Sequence, residues 1–589
     1  MLKIKHLLKR CFSLFLHKNN SNLKQPFLLL LFFTSFLSFS QEKYPKNYFR
    51  SPLEIPTVLA GTFGELRSNH FHSGIDIKTQ GKEGLNIYAA ADGYVSRIKV
   101  AQFGFGKAIY ITHPNGYTTV YAHISRFSDK IEKYVKKIQY KKERYQTGNL
   151  FFKEEKFPVQ KGDIIAFTGN TGSSSAPHLH YEIRNTETEK IINPLAFGLQ
   201  VVDTKSPIFQ SLKVYPLSNS SRINHQNKSF ILPIKNIKKG EYRVERISAA
   251  GTIGFGVRLF DRLDKASNKN GIYSLEMFVN GKRFYYHDVE KFSFSESKFI
   301  NLHIDYPHYK KYKKRYQKTF KESKNELSTY ENLINNGKIN IKNGLSYTLK
   351  IIAKDYKGNT SSLIIPVLGK ESNPIFQQLK DTTEFKIIAT NFQKFKKENV
   401  TIAFPKNTFY EDLYLDFKVE KGVAKIHTPT LPLNKSFTLT FDVSNYSKTE
   451  KQQLYIANLE YPKYPSFQNT RKKDSTFYTT TKQLGNYALV ADLQKPKINL
   501  LFIKDKQWIS KHKTLKVKIS DIGTGIKDYR ATIDGKWILM EYNHKKNILT
   551  YNFSDKKLVG SKHIFKIVVS DNVGNTNTLS ATFFKKQVN

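Results

Sequence analysis

Short segments in which apolar and polar residues alternate recur along most of the chain. In residues 413–419 and 437–443 every second residue is apolar, and residues that favour turns separate such segments. An alternation of period two is typical of a strand with one buried face. The chain has 589 residues, too many for one hydrophobic core. We therefore expect a mainly β protein with several domains.

The first domain that we expect is a small antiparallel β-barrel or sheet, because apolar runs between residues 87 and 122 are joined by Gly/Asp turns and by a Pro-Asn-Gly turn. Several β-sandwich domains should follow it. The expected ranges are 41–200 for the first domain, and 201–370, 371–490 and 491–589 for the sandwiches.

One stretch within the first domain has helical periodicity. Residues of about 126–158 carry apolar side chains at helical spacing with lysines between them: Phe127, Ile131, Tyr134, Val135 and Ile138. This pattern predicts an amphipathic helical insert. The helix could be a lid or regulatory element beside a groove, or it could pack on the barrel edge, and the sequence leaves both open.

A second stretch, about 306–340, combines aromatic residues with many lysines. Tyr309, Tyr312, Tyr316 and Phe320 lie at helical spacing. We expect a basic helical insert with one aromatic face. Such a face could bind polyanions or sugars, or it could dock on a neighbouring domain.

A repeat follows the first domain. Val257–Asp261, Gly271-Ile272, Asn280-Gly281-Lys282 and Asp355-x-x-Gly358-Asn359-Thr360 recur as Val517–Asp521, Gly525-Ile526, Asp534-Gly535-Lys536 and Asp571-x-x-Gly574-Asn575-Thr576. Two related sandwiches are the simplest account, with Asn-Gly and Asp-Gly as hairpin turns. They look like immunoglobulin-like modules of secreted bacterial proteins.

The first 40 residues have the composition of a secretory signal peptide. Six basic residues and no acidic residue precede or flank an apolar run over 27–39, and small residues stand just before Gln41. We expect export to the periplasm, the cell envelope or the exterior, with cleavage of this segment or its retention as an anchor. The single cysteine, Cys11, lies in this segment. A cleaved chain would have neither disulfides nor cysteine-rich zinc sites.

The formal net charge is +46. Removal of the six basic residues of the signal would leave +40. A cytoplasmic protein with this charge would be a candidate for nucleic-acid binding. For an exported protein we expect no nucleic acid and consider anionic envelope polymers as partners. The alternative is that the lysines simply form a solvated surface.

Candidate chemistry concentrates around one Gly/Ser-rich loop and the strand after it. Within His178-Leu179-His180-Tyr181-Glu182, strand alternation turns the two histidines and Glu182 to the same face. Upstream, a turn containing Gly74 can bring His72 and Asp76 together, and His123 ends the strand after the Pro-Asn-Gly turn.

These residues suit a catalytic zinc site. His72, Asp76 and His180 supply two imidazoles and a carboxylate, and leave a fourth position for water. Zinc lowers the pKa of such a water to about 7 and polarises a carbonyl oxygen. His123 and His178 could then accept a proton or stabilise an oxyanion.

At this point the sequence resembles the lysostaphin/LytM-type zinc metallopeptidases, which cut peptide cross-links in bacterial cell walls. The likeness covers about residues 54–197. Its motifs, in the family's order, are His72-x-x-x-Asp76, Tyr121-x-His123, Lys161-Gly162-Asp163, Gly169-x-Thr-Gly172 and His178-x-His180-x-Glu182. The resemblance implies that His72, Asp76 and His180 bind Zn²⁺ and that His123 and His178 are catalytic.

Two departures from the family pattern stand out. Ser175-Ala176-Pro177 precedes His178 where the family often has glycine, and about thirty residues are inserted between His123 and Lys161. Neither removes a ligand.

We therefore expect an exported zinc endopeptidase that hydrolyses peptidoglycan peptide cross-links. The main alternative is a non-catalytic wall-binding protein or an activator of other wall hydrolases, since the family includes members that have lost ligands. An adhesin or envelope scaffold led by the repeats is a third possibility. The sequence leaves the scissile bond, the oligomeric state and any regulatory envelope partner open.

Overall fold

The computed structural model describes residues 43–371 and 382–586. The described residues from Asn47 onwards form one unit, and strands make up most of its regular structure. The mainly β fold expected from the alternating pattern is confirmed. Within the described part of the chain, no helix is long and apolar enough to cross a membrane. The signal peptide predicted over residues 1–40 lies outside the described residues.

The first β domain, residues 47–200, consists of short antiparallel strands. They are β1 (Leu59–Gly61), β2 (Ile75–Lys78), β3 (Asn86–Tyr88), β4 (Gly93–Val100), β5 (Lys107–Thr112), β6 (Tyr117–Ile124), β7 (Arg126–Phe127), β8 (Gly148–Phe151), β9 (Pro158–Val159), β10 (Ile164–Phe167), β11 (His178–Asn185) and β12 (Ile191–Ile192). The main sheet has the order β1-β2-β11-β6-β5-β4-β8, and a small sheet has the order β3-β10-β7. Strands β6 and β11 are central and almost wholly buried.

Helix α1 (Asp129–Lys142) lies in the insert of the first β domain. Its buried residues, Ile131, Val135 and Gln139, are four apart and therefore share one face. That face packs on the first domain, as expected of an amphipathic helix. The other side of the helix contacts the C-terminal part of the chain, which is described below.

The second β domain, residues 201–371, follows. Its elements are β13 (Ile208–Pro216), β14 (Arg222–Ile223), β15 (Phe230–Leu232), β16 (Lys235–Lys238), β17 (Glu241–Arg243), β18 (Ile247–Phe260), β19 (Ser274–Val279), β20 (Lys282–Asp288), β21 (Lys291–Phe292), α2 (Ile300–His303), α3 (Tyr306–Tyr312), β22 (Gln317–Lys318), β23 (Ile339–Ile341), β24 (Ser346–Lys354) and β25 (Thr360–Gly369). A continuous core joins β13, β18, β19, β24 and β25. Strand β21 pairs with β12, so the first and second domains share a sheet.

The structure corrects the basic helix expected within residues 306–340. Helix α3 ends at Tyr312, and Lys313 takes a left-handed conformation with φ of 56°. Beyond it, Tyr316 and Phe320 are only 2% exposed. The Tyr316 hydroxyl bonds Ser211 Oγ at 2.7 Å. These two rings fill the core of the second domain, and so no aromatic face remains there for a surface helix.

The third and fourth β domains complete the described chain. The third contains β26 (Phe385–Ile387), β27 (Gln393–Lys397), β28 (Val400–Phe404), β29 (Leu413–Leu415), β30 (Phe417–Glu420), β31 (Val423–Ile426), β32 (Phe437–Asp442), α4 (Lys448–Gln453), β33 (Leu454–Asn458), β34 (Ser466–Phe467), β35 (Arg471–Lys472), β36 (Thr476–Thr481) and β37 (Gly485–Ala491). The fourth contains β38 (Lys497–Leu501), β39 (Gln507–Trp508), β40 (Thr514–Ser520), β41 (Ile526–Ile533), β42 (Lys536–Trp537), β43 (Glu541–Asn543), β44 (Ile548–Asn552), β45 (Lys562–Asp571) and β46 (Thr576–Phe584).

The fourth domain is a sandwich of two sheets, in the orders β38-β40-β44-β43 and β39-β46-β45-β41-β42, around one core. The hairpin turns expected in the repeat are present. Asn280 and Asp534 have φ of 47° and 51°, and the glycine after each also has positive φ. Two successive positive φ values define the type I′ turn that suits a tight hairpin.

The fourth domain packs back onto the first. The Tyr140 ring of α1 lies 5.2 Å from the Trp537 ring, and Lys136 Nζ lies 2.6 Å from an oxygen of Asp555. Lys107 Nζ, on β5, lies 3.0 Å from Glu541 Oε2. The last described domain therefore packs on the helical insert and on the start of β5 in the main sheet.

Candidate metal centre

Strand register brings two polar side chains face to face in the middle of the first domain. Strands β2 and β11 are antiparallel, and Asp76 is directly opposite His180. Directly opposed residues in an antiparallel pair project from the same face of the sheet. His72, four residues before Asp76, is held in the approach to β2 by a main-chain hydrogen bond with Glu65. The three side chains therefore converge on one point.

The three groups form a tight donor set. His72 Nε2 lies 3.0 Å from Asp76 Oδ1 and 3.1 Å from His180 Nδ1, and His180 Nδ1 lies 2.9 Å from Asp76 Oδ1. Tetrahedral coordination with bonds of about 2.0–2.1 Å would place donor atoms roughly 3.4 Å apart. Because the observed spacings are close to this value, the residues fit the zinc ion that the sequence predicts.

Hydrogen bonds to the other ring nitrogens set the tautomers of both histidines. His72 Nδ1 donates to the carbonyl oxygen of Thr62 at 2.7 Å, which leaves its Nε2 as the donor to a metal. His180 Nε2 donates to Glu182 Oε1 at 3.0 Å, which leaves its Nδ1 for the metal. Such partners orient metal-binding imidazoles and raise their basicity.

His123 reaches the site through an irregular backbone. Ala122 is opposite His180 in the register of β6 and β11, so regular alternation would turn His123 to the other face. Instead, His123 has a φ of 60°, and its ring lies 5.8 Å from the ring of His180. Its Nδ1 donates to the carbonyl oxygen of Thr171 at 2.9 Å. Its Nε2 is therefore the nitrogen that can accept a proton.

His178 approaches the same point from the start of β11. Its Nδ1 donates to the carbonyl oxygen of Ala176 at 2.8 Å, and its Nε2 lies 3.3 Å from Asp76 Oδ1. The rings of His123 and His178 are 4.8 Å apart. The structure thus brings together all five residues singled out in the sequence, with three donor atoms at the centre and two further imidazoles beside them.

Burial and close partners shift the pKa values of the site. Burial lowers the pKa of His123 to about 3. For His180, burial acts against the charged form, but the hydrogen bonds with Asp76 and Glu182 raise its pKa to about 9. Burial likewise opposes the charge of Asp76, yet the histidines hold its pKa well below its usual value. Without a metal, this site therefore holds a proton that metal binding would displace.

Strand alternation predicts the face on which Glu182 lies but not its role, and no sequence pattern indicates the contacts of Arg184 and Arg67. Glu182 is fully buried between His180 and Arg184 Nε, which donates to its Oε2 at 2.7 Å. Arg67 Nη2 donates to Asp76 Oδ2 at 3.2 Å. Arg67 thus occupies the carboxylate oxygen that faces away from the histidines.

The rim of the site includes residues of the fourth domain. The Phe105 ring lies 5.1 Å from the ring of His180, and the Phe103 ring nearby lies 4.6 Å from the ring of His544. Lys545 Nζ donates to Asn170 Oδ1 at 2.9 Å, on the loop before His178. The β43–β44 hairpin therefore forms part of the border of the site.

With this geometry established, comparison with known proteins identifies the domain. Residues 70–140 match the model of peptidase family M23. The chain contains a peptidase M23 domain. The match includes His72, Asp76 and His123, and β11 lies beyond it. The resemblance seen in the sequence is therefore confirmed for this domain. Residues 386–492, the third β domain, match a Zu5-like domain.

Curated relatives of the M23 domain include hydrolases and activators. The chain is 34% identical over 134 residues to the DD-carboxypeptidase/endopeptidase Mpg of Neisseria meningitidis, which covers 23% of this chain and 24% of Mpg. It is 31% identical over 145 residues to the peptidoglycan DD-endopeptidase ShyC of Vibrio cholerae, and the alignment covers 23% of this chain and 27% of ShyC. It is 32% identical over 153 residues to the murein hydrolase activator NlpD of Escherichia coli, and the alignment covers 26% of this chain and 32% of NlpD. The chain thus spans about a quarter to a third of these relatives.

Proposed function

We propose that this protein is an exported zinc-dependent endopeptidase that hydrolyses peptide cross-links of bacterial peptidoglycan. The observation that carries the proposal is the set of three donor atoms, His72 Nε2, Asp76 Oδ1 and His180 Nδ1, all within 3.1 Å of one another. Relatives named as peptidoglycan and DD-endopeptidases support the substrate class. The relative named as a murein hydrolase activator also supports the proposed location in the periplasm or cell envelope, because murein lies there.

When bound by these donors, zinc would polarise a peptide carbonyl and acidify a water molecule. The chain's own residues then handle protons and charge. His123 and His178 each donate Nδ1–H to a main-chain carbonyl. Nε2 of each ring is therefore the nitrogen available to substrate and water at the donor set. A neutral imidazole there accepts the proton of the attacking water, and its protonated form stabilises negative charge on the carbonyl oxygen. Glu182 and Thr62 hold the two histidine ligands in position.

The experiment that tests this proposal compares four versions of the zinc-loaded full chain on isolated peptidoglycan. Fragments released by wild type, His180→Ala, His123→Ala and His70→Ala are analysed by mass spectrometry. His70 is exposed, and its Nδ1 donates to the carbonyl oxygen of Ser68 at 2.8 Å, outside the donor set. It is therefore the matched control. We expect wild type and His70→Ala to remove cross-linked dimers, and the other two variants to lose this activity by at least about 100-fold.

A second candidate function follows from the NlpD relative, which is named as a murein hydrolase activator. In that case the chain would bind the wall and stimulate another hydrolase. Release of no fragments by wild type, together with faster digestion when a separate wall hydrolase is added, would favour the activator. His180→Ala separates the two, because activation without catalysis would survive the loss of a metal ligand. Binding to anionic envelope polymers stays a prediction from the net charge.

A further inference from the structure

Two clusters of three aspartates lie outside the M23 domain. One joins Asp203, Asp261 and Asp355 in the second β domain, and the other joins Asp492, Asp521 and Asp571 in the fourth. In each cluster, carboxylate oxygens from all three residues lie within 4.8 Å of one another. We call them the first and second aspartate triads.

The triads occupy corresponding positions in the two copies of the repeat. In the first, Asp355 accepts hydrogen bonds from the main-chain N and the Nδ2 of Asn359 at 2.9 and 2.6 Å. In the second, Asp571 accepts the same pair from Asn575, each at 2.8 Å.

The asparagine of each copy also fixes the third member of the triad. Asn359 Nδ2 donates to the carbonyl oxygen of Asp203 at 3.1 Å, and Asn575 Nδ2 donates to that of Asp492 at 3.0 Å. Asp203 and Asp492 each lie on the segment by which the chain enters the domain. One construction therefore occurs twice, at the entry to two different β domains.

The middle aspartate of each triad has an oxygen that bonds to no described residue. Asp261 is 1% exposed, and its Oδ1 has no hydrogen-bond partner among the described residues. Asp521 of the other copy is half-buried, and its Oδ1 atom is inaccessible and has no hydrogen-bond partner in the part of the chain that the structure describes. A buried polar atom of this kind costs free energy unless something binds it. The same atom lacks a partner among the described residues in both copies, which points to a role in binding a ligand.

The first triad also lines a cavity. Asp203, Asp261 and Asp355 border a cavity of about 30 Å³, with Thr62 and Leu195 of the first β domain on another side. This volume holds one small ion or water. Burial and the neighbouring carboxylates raise the pKa of Asp261 to about 7 and that of Asp203 to about 6. Burial and mutual repulsion thus oppose the ionisation of these carboxyl groups, and a bound cation would favour it.

We propose that each aspartate triad binds one Ca²⁺ ion. The ligands are carboxylate oxygens without histidine or cysteine, which is the chemistry of a hard divalent cation and not of zinc. In the first triad the ion would fasten the entry segment of the second domain beside the M23 domain. In the second it would fasten the entry segment of the fourth domain, which packs on helix α1.

A binding experiment tests the number and place of the ions. Full-length chain freed of divalent ions is titrated calorimetrically with CaCl₂. We expect two sites, with dissociation constants of roughly 10⁻⁴–10⁻³ M, as in extracellular calcium modules. Asp261→Asn should leave one site, and Asp261→Asn with Asp521→Asn should leave none. His180→Ala should retain both. Absence of calcium binding to wild type at 10 mM, or equal binding to the double variant, would overturn the proposal.

A stability experiment gives an independent readout, because calcium should reverse the sign of the change that Asp261→Asn causes in the melting temperature. We expect 10 mM CaCl₂ to raise the wild-type melting temperature by roughly 3–8 °C. Asp261→Asn removes a repelling carboxylate, so it should raise the melting temperature without calcium and lower it, relative to wild type, with calcium.

The control for the stability experiment is Asp264→Asn. Asp264 accepts a hydrogen bond from Thr204 N at 2.7 Å and lies outside the triad. This variant should keep the full calcium response. If Asp261→Asn raised the melting temperature equally with and without calcium, the triads would be protonated carboxyl clusters that bind no ion.

Discussion

Removal of the Glu541 carboxylate should weaken the docking of the fourth domain on the first. Lys107 is 3% exposed, and its Nζ donates to the carbonyl oxygen of Ser125 at 2.9 Å and to both oxygens of Glu541 at 3.1 and 3.0 Å. Burial acts against the lysine charge, but Glu541 more than offsets it, so that the pKa of Lys107 is raised above its usual value. Glu541→Ala would leave this ammonium buried with a single carbonyl partner.

The size of the effect follows from the burial of the two partners. Removing one member of a buried ion pair costs about 3–5 kcal/mol. The Glu541 side chain is 39% exposed, and water can therefore replace part of the lost interaction. We expect a loss of about 2–3 kcal/mol, or roughly a factor of 30–150 in the docking equilibrium. Lys107→Met removes the charge and fills most of the same space with an apolar side chain, and should cost less than about 1 kcal/mol.

Tryptophan fluorescence can follow this docking directly. The chain has two tryptophans, both in the fourth domain. Trp537 is 8% exposed and lies against Tyr140 of the first domain, whereas Trp508 is 57% exposed. In a Trp508→Phe background, the shift that a substitution causes in the urea midpoint of the Trp537 signal, multiplied by an unchanged slope, gives the change in free energy. Equal losses for Glu541→Ala and Lys107→Met, or a loss below about 0.5 kcal/mol for Glu541→Ala, would refute the assignment of a buried uncompensated charge.

Three further predictions concern the M23 domain. Glu182→Gln should weaken zinc binding about 10–100-fold, measured by competition with a chelating dye, because it removes the carboxylate that holds His180 Nε2. Gly74→Ala should lower the free energy of unfolding by about 1–3 kcal/mol in thermal denaturation, because the new Cβ would lie 2.4 Å from the carbonyl oxygen of Tyr181. Burial lowers the pKa of His113 from 6.5 to about 4, so on acidification this histidine is protonated in the unfolded chain before it is protonated in the folded chain. The contribution of His113 to the free energy of unfolding should therefore be full above pH 6.5. It should fall by up to about 1.4 kcal/mol per pH unit towards pH 4. In His113→Gln, urea titrations at pH 7, 6 and 5 should show a shallower fall.

Much of the geometry of the candidate metal centre could be predicted from the sequence because strands impose strict alternation. Once His178 and His180 lie on β11, their side chains must share a face with Glu182, and short motif spacing brings His72 to Asp76. The contact of Arg67 with Asp76 depends instead on a loop conformation that no pattern reveals. The orientation of His123 could not be derived either, because its positive φ breaks the alternation of β6.

Elsewhere, tertiary contacts overrode local pattern. The spacing of Tyr309, Tyr312, Tyr316 and Phe320 fits a helix, but only the first two residues are helical, and the last two fill the core of the second domain. The aspartate triads could be predicted only in part, for a different reason. The repeat revealed two members of each triad. The third, Asp203 or Asp492, lies at a different separation in each copy, and only the folded chain places it beside the others.

The docking of the fourth domain on the first also affects the order in which the chain folds during synthesis. Lys107 and Glu541 are 434 residues apart in the chain. At synthesis rates of about 5–20 residues per second, roughly 20–90 s pass between the appearance of the lysine and that of its partner. During this interval the first domain can complete its own sheet, but the surface around Lys107 and helix α1 stays open to water and to other proteins. The surface of the first domain around Lys107 and helix α1 is therefore covered only after the fourth domain has been synthesised. A prematurely terminated chain would keep this surface exposed.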